Sequence, residues 1–109
     1  MADTAKQLAQ VAPATGSNNT AYTVPAATTT IVKELLICNP QVSAGTIEAW
    51  VVPNGGTATD ATKILHNLTI ASGETKFVTL TTVMGPLGTF VVKSTTAQVT
   101  YTLSGVELT

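Results

Sequence analysis

The stretch Tyr22 to Pro40, "YTVPAATTTIVKELLICNP", admits two incompatible readings. Lys33-Glu34-Leu35-Leu36 is built from good helix formers, whereas Thr28-Thr29-Thr30-Ile31-Val32 before it is β-branched and favours a pleated surface. A helix here would be confined between Pro25 and Pro40, would start in three threonines, and would sit in a chain whose other segments read as strands. The stretch is therefore expected to be extended. Val32-Lys33-Glu34 becomes a half-exposed entry, and Leu35-Leu36-Ile37-Cys38 the doubly buried middle of a central strand.

Outward from this segment, short apolar runs alternate with turn residues at the spacing of a sandwich or small barrel. The expected strands are 21–24, 30–38, 46–52, 63–70, 75–81, 89–93 and 98–108, separated by Asn39-Pro40, Pro53-Asn54-Gly55-Gly56, Ala71-Ser72-Gly73-Glu74 and Met84-Gly85-Pro86-Leu87-Gly88. Alternation is clearest near the end, where Val99, Tyr101 and Leu103 share one face and Gln98, Thr100 and Thr102 the other. Ile47, Ala49 and Val51 oppose Thr46, Glu48, Trp50 and Val52; Ile64, His66, Leu68 and Ile70 oppose Leu65, Asn67 and Thr69. The expected fold is all-β, an antiparallel β-sandwich of about seven or eight strands, immunoglobulin-like or jelly-roll-like in its connections.

Residues 1–20 read differently. They are rich in Ala, Thr, Gln and Asn, with Leu8 and Val11 as the sizeable apolar groups, too little to fold alone. Asp3 could cap a short helix from Thr4 to Val11, ending before Pro13, but two turns are marginal without a surface to lie on. An extended N-terminal arm over 1–20 and a β-sandwich domain over 21–109 is the expected organisation.

Composition narrows the function. A chain of 109 residues has room for one domain. Its charged fraction is 10%, against the roughly 25% usual for soluble domains, and Thr supplies 22 residues, so hydroxyls and amides must cover much of the surface. Net charge is -1, with five Lys and no Arg, which leaves neither the basic patch nor the guanidinium forks that nucleic acids need. Neither a cleaved secretory signal nor a membrane-spanning run is recognisable, and the chain is expected to be made in a cytoplasm and to stay soluble.

Candidate chemistry is sparse. Cys38 is the single cysteine, which excludes an internal disulfide and a multi-cysteine metal site; it is expected to be a small buried apolar residue. His66 is the single histidine, so any Ser-His or Cys-His mechanism must pass through it, yet no sequence feature places it beside Cys38. The six carboxylates Asp3, Glu34, Glu48, Asp60, Glu74 and Glu107 lack calcium-loop spacing. Asn54-Gly55-Gly56 is a loop tip and not a phosphate cradle, since no Lys-Ser/Thr follows. Asn18-Asn19-Thr20 and Asn67-Leu68-Thr69 match the glycosylation triplet but would not meet its machinery without a leader. Trp50 reads as core or as a subunit contact, with a sugar-stacking platform the weakest alternative. Neither an enzyme nor a cofactor is expected.

Six stretches, Lys6-Gln7-Leu8-Ala9-Gln10, Tyr22-Thr23-Val24-Pro25-Ala26, Ile37-Cys38-Asn39, Val51-Val52-Pro53-Asn54-Gly55-Gly56, Lys93-Ser94-Thr95-Thr96-Ala97 and Ser104-Gly105-Val106-Glu107-Leu108-Thr109, together resemble small virion proteins of tailed bacteriophages. They are turn and strand signatures spread over nearly the whole chain. The resemblance implies a non-enzymatic β-sandwich on the surface of a virus particle. That would be a capsid decoration (cement) protein binding the major capsid protein and itself, as a homo-oligomer of trimeric type, or else a tail or tail-fibre component. No nucleic acid, membrane or small-molecule partner is expected. By the same analogy Leu8 and Val11 would anchor the arm, and Trp50 would be a further partner contact. A carbohydrate-binding module is the reading from another class.

Overall fold

The computed structural model describes residues 3–95 and 99–109. Among the described residues there are eight strands: β1 (Asp3–Val11), β2 (Asn19–Thr23), β3 (Thr29–Cys38), β4 (Gly45–Val52), β5 (Lys63–Ile70), β6 (Thr75–Met84), β7 (Thr89–Ser94) and β8 (Thr100–Leu108). One turn of 3-10 helix, Asp60–Thr62, precedes β5. The strands form two four-stranded antiparallel sheets in the orders β1-β8-β3-β6 and β2-β7-β4-β5. Four nested pairs, β1 with β8, β2 with β7, β3 with β6 and β4 with β5, describe one long hairpin wrapped over itself. That is the jelly-roll order, which decides between the two sandwich topologies expected.

The stretch from Thr29 to Cys38 is a strand, central between β8 and β6. Its helix-like look has a specific cause. Val32 and Leu35 are both fully buried although three residues apart, a spacing a regular strand would split between opposite faces. A register shift between Val32 and Glu34 resolves this: Lys33 and Glu34 both face solvent, and the inward phase resumes at Leu35. The doubly buried middle is corrected. Leu35 and Ile37 are buried, but Leu36 and Cys38 are half-buried on the outer face of the sheet, so Cys38 is not a core residue.

A second shift corrects β5. Asn67 adopts a left-handed backbone (φ 46), and the pairing passes from Ile47 with Leu68 to Ala49 with Leu65, two residues facing three. Asn tolerates this conformation better than most residues. The expected face of Ile64, His66, Leu68 and Ile70 is broken: Leu65, Leu68 and Ile70 turn to the core, while Ile64 and His66 turn out.

The expected arm is also corrected over its described part. Asp3–Val11 is neither a helix nor a free arm but an edge strand whose partners run from Leu108 opposite Asp3 to Tyr101 opposite Val11. Leu8 and Val11 are half-buried against the main core. The polar composition that argued against independent folding is that of an edge strand with five exposed residues in succession, stabilised by the ladder it joins. In β6, strand structure continues through Met84, beyond the expected end at 81. Of the strand expected over 98–108, Gln98 lies outside the described residues.

The main core lies between the sheets, with Tyr101, Phe90, Leu35, Ile37, Ile47, Ile70 and Leu103 its largest fully buried side chains. Asn39, also fully buried, pins one end: its Nδ2 donates to the carbonyls of Ser43 (3.0 Å) and Ala71 (3.2 Å), and its Oδ1 accepts from the Gln41 amide (3.0 Å). Two type II-like turns close on Pro53-Asn54-Gly55-Gly56 and Gly85-Pro86-Leu87-Gly88, with Gly55 (φ 80) and Leu87 (φ 63) in the left-handed position.

Gly105 is required where β8 passes β3 at the shifted register. A Cβ there would run into the carbonyl of Ile31 and lie 3.1 Å from the Val32 Cα. Gly105→Ala is expected to cost at least about 2 kcal/mol through backbone displacement, read as a lowered urea midpoint with an unchanged slope. An unaffected midpoint would mean that β3 and β8 do not approach this closely.

Candidate functional site

Two polar clusters and one apolar satellite stand out from the hydroxyl-covered surface. The first is centred on Glu48, mid-strand in β4 and pointing away from the main core. The β4 alternation runs as expected: Ile47 and Ala49 enter the main core, while Glu48, Trp50 and Val52 lie on the other face. Glu48 Oε1 accepts a hydrogen bond from Lys63 Nζ at 2.6 Å, and Lys93 Nζ on β7 stands 3.8 Å from Oε2. Lys63 also approaches Asp60 (3.7 Å), donates to His66 Nδ1 (2.9 Å), and sits 5.2 Å from the centre of the Trp50 ring. The hydrogen bond and charge of Lys63 hold the Glu48 carboxyl below its usual range against partial desolvation, with Lys93 helping.

Asp60, Lys63, Ile64 and His66 line an open depression of about 300 Å³ beside this cluster. His66 is two-thirds exposed (67%), and its polar neighbours are Lys63, Asn67 and Glu48 (Nδ1 to Oε1, 3.5 Å). None of these carries a hydroxyl or thiol. Cys38 lies in the other sheet. Among the described residues, no three His, Cys, Asp or Glu side chains converge as a metal site. The arrangement fixes charge on the surface of one sheet.

Trp50 forms the satellite, buried (5% exposed) with Val52 and Val91 and capped by Ala58 from the loop before β5. The structure thus places it in a small core of its own, outside the main one. Its Nε1 is buried without a hydrogen-bond acceptor among the described residues. Leu8 and Val11 lie in the opposite sheet, so the three residues singled out from the sequence do not converge.

The second polar cluster locks the sheets together. Tyr22 on β2 donates its hydroxyl to Glu107 Oε2 on β8 and shares a hydrogen bond with Thr30 on β3 (2.8 Å); Lys6 on β1 pairs with Glu107 Oε1 at 3.0 Å. The Glu107 carboxylate thereby ties β8 to β1 and β2, and the Tyr22 hydroxyl adds β3. Burial, with the neighbouring Glu107 carboxylate, pushes the Tyr22 hydroxyl up to about 12, while the hydrogen bonds from Tyr22 and Lys6 hold Glu107 below the usual carboxylate range.

Sequence reasoning missed both clusters. For Glu48 the available signal was its place two residues before Trp50 on the same face of a strand; the Lys partners come from other strands. For Tyr22 and Glu107, 85 residues apart, no local signal exists.

A comparison with solved structures aligns 97% of this chain with a chain of the infectious bursal disease virus (Gx strain) structure, at a TM-score of 0.51 and 13% identity. The likeness is one of fold. This chain spans 31% of that viral chain's length. No protein-family model matches the sequence, and no curated protein matches it.

Two outcomes follow from this geometry. Glu48 and Glu107 are both lowered on folding, so their stabilisation is present above the unfolded carboxylate value and lost as pH falls through the folded ones. Unfolding free energy should therefore drop as pH falls from about 5 through the usual carboxylate range and below it, and the drop should shrink in Glu48→Gln and in Glu107→Gln. Trp50→Ala should cost about 3–5 kcal/mol, while Trp50→Phe, which keeps most of the ring and removes the orphaned N–H, should cost well under half of that. Equal losses in chemical denaturation would show that the indole nitrogen has a partner.

Proposed function

We propose that this chain is a structural protein of a virus particle. Within that class it is a decoration protein of a tailed-phage head, which binds neighbouring capsid subunits and copies of itself. The observation that carries the reading is the fold: the complete eight-strand jelly-roll order, aligned over 97% of the chain with a chain of a virus structure. Jelly rolls recur in capsid domains but also in lectins and cupins, so fold is the prior and the site must argue the rest. The site favours a surface role. Among the described residues its one histidine has Lys63, Asn67 and Glu48 as polar partners, none of them a hydroxyl or thiol, and its aromatic residue best suited to stacking on a sugar is buried, which disfavours both an enzyme and a carbohydrate-binding module.

The mechanism is the sum of many small contacts. A weakly charged, hydroxyl-rich surface adheres through hydrogen bonds and apolar patches, with little long-range steering. Such contacts become strong by multiplicity when many copies sit on one lattice.

Quantitative mass spectrometry of purified particles, with immunogold labelling against this chain, tests the proposal. Copies in the hundreds, with label over the head, are expected. A handful of copies with label on the tail would replace decoration by a tail role, and absence from particles would overturn a virion role altogether.

A further inference from the structure

The four sheet edges are protected unequally. β2 is five residues long; β5 is bent by Asn67; β1 carries Asp3 and Lys6 and a register shift between Gln7 and Ala9. β6 has a register shift too, where Thr82 and Thr79 face Val32 and Glu34, but it is the longest of the four edges. It is ten residues long, contains no proline, and carries one charged residue, Lys76, which is drawn to Glu74 of its own chain at 3.2 Å. Its outer backbone row faces no strand among the described residues. Native proteins normally blunt such an edge, because it is a template for another strand.

The side chains of β6 are unusual too. Phe77 (70% exposed) and Val83 (64%) both stand on the outer face of the sheet, with Thr79 and Thr81 between them. Val83 continues an apolar row made by Ala5, Val106 and Ile31 across the sheet, and Phe77 neighbours Leu36. The positions are symmetric about Leu80. An antiparallel copy centred there sets Phe77 against Val83, Thr79 against Thr81, Val78 against Thr82 and Leu80 against itself. Aromatic with β-branched and Thr with Thr are favourable cross-strand pairs, and no like charges meet.

We propose that β6 is a self-association edge. Two copies of this chain pair their β6 strands antiparallel about a two-fold axis at Leu80, joining two four-stranded sheets into one of eight strands. The register shift opposite Val32–Glu34 falls near the middle of β6, close to the two-fold axis in both copies. The interface is isologous, as a two-fold requires, and it covers two of the large apolar side chains that the isolated chain leaves in water. The pairing concerns this chain with itself and stands whether or not the chain belongs to a particle.

Light scattering and sedimentation on the full chain at tens of micromolar test it. The wild type is expected to have twice the chain mass. Phe77→Glu with Val83→Glu places like charges opposite each other and should halve that mass; Phe77→Lys with Val83→Glu places opposite charges there twice and should keep the dimer, weakening as salt rises. Both substituted positions are exposed, and circular dichroism checks that both variants keep the sheet. Hydrogen exchange on the wild type, which needs no variant, should show amides of 75–84 gaining protection with concentration. A monomeric wild type, a trimeric mass indifferent to the substitutions, identical behaviour of the two variants, or amides of 75–84 blind to concentration would each overturn the proposal.

Discussion

The burial of Val32 and Leu35 on the same face of one strand is the constraint on which the rest depends. Strand geometry alternates faces, so two core residues three apart can both point inward only if one residue is absorbed outside the alternation. The shift between Val32 and Glu34 does this, and it spreads through the sheet: β3 is out of step with β8 on one side and with β6 on the other at the same level. Gly105 lies at that level because the two backbones come too close there for a side chain. The central strand thus sets the register of its sheet and the need for a glycine in a neighbour.

The same device appears in the second sheet, where Leu65 and Leu68 both reach the core across the bend at His66 and Asn67. What the bend turns outward is informative. His66 and Ile64 face solvent and border the charged cluster at Glu48, whose Lys63 partner starts the same strand. The surface electrostatics of that sheet are therefore a by-product of how its edge strand keeps its leucines buried.

Between the sheets the core is aliphatic and aromatic, but two polar devices fix how they meet. Asn39 holds the corner after β3 through bonds to three loop carbonyl and amide groups, and Glu107 on β8 holds β1 through Lys6 and β2 through Tyr22, whose hydroxyl also meets Thr30 on β3. Buried polar groups of this kind are costly when a partner is removed, so they act against alternative packings as well as for the native one. The nested pairing brings Asp3 beside Leu108, and the ends of the chain close the sandwich that its middle begins.

Much of this was legible in local pattern. The strand nature of 29–38, the alternation of Val99, Tyr101 and Leu103, the two faces of β4 and the turns at Asn54-Gly55 and Pro86-Leu87 follow from β-branching, period-two hydrophobicity and turn chemistry, all properties of neighbouring residues. Three things waited for the tertiary structure. The jelly-roll order depends on pairs such as β1 with β8, which nothing local specifies. The phase of β3 and β5 depends on bulges that only partner strands reveal. The membership of 3–11 in a sheet depends on an exposed edge of β8, since a polar segment becomes a strand when a ladder is offered to it and has no cause to be one alone. Long-range pairing is chosen by the whole chain's burial, and a window of sequence cannot carry it.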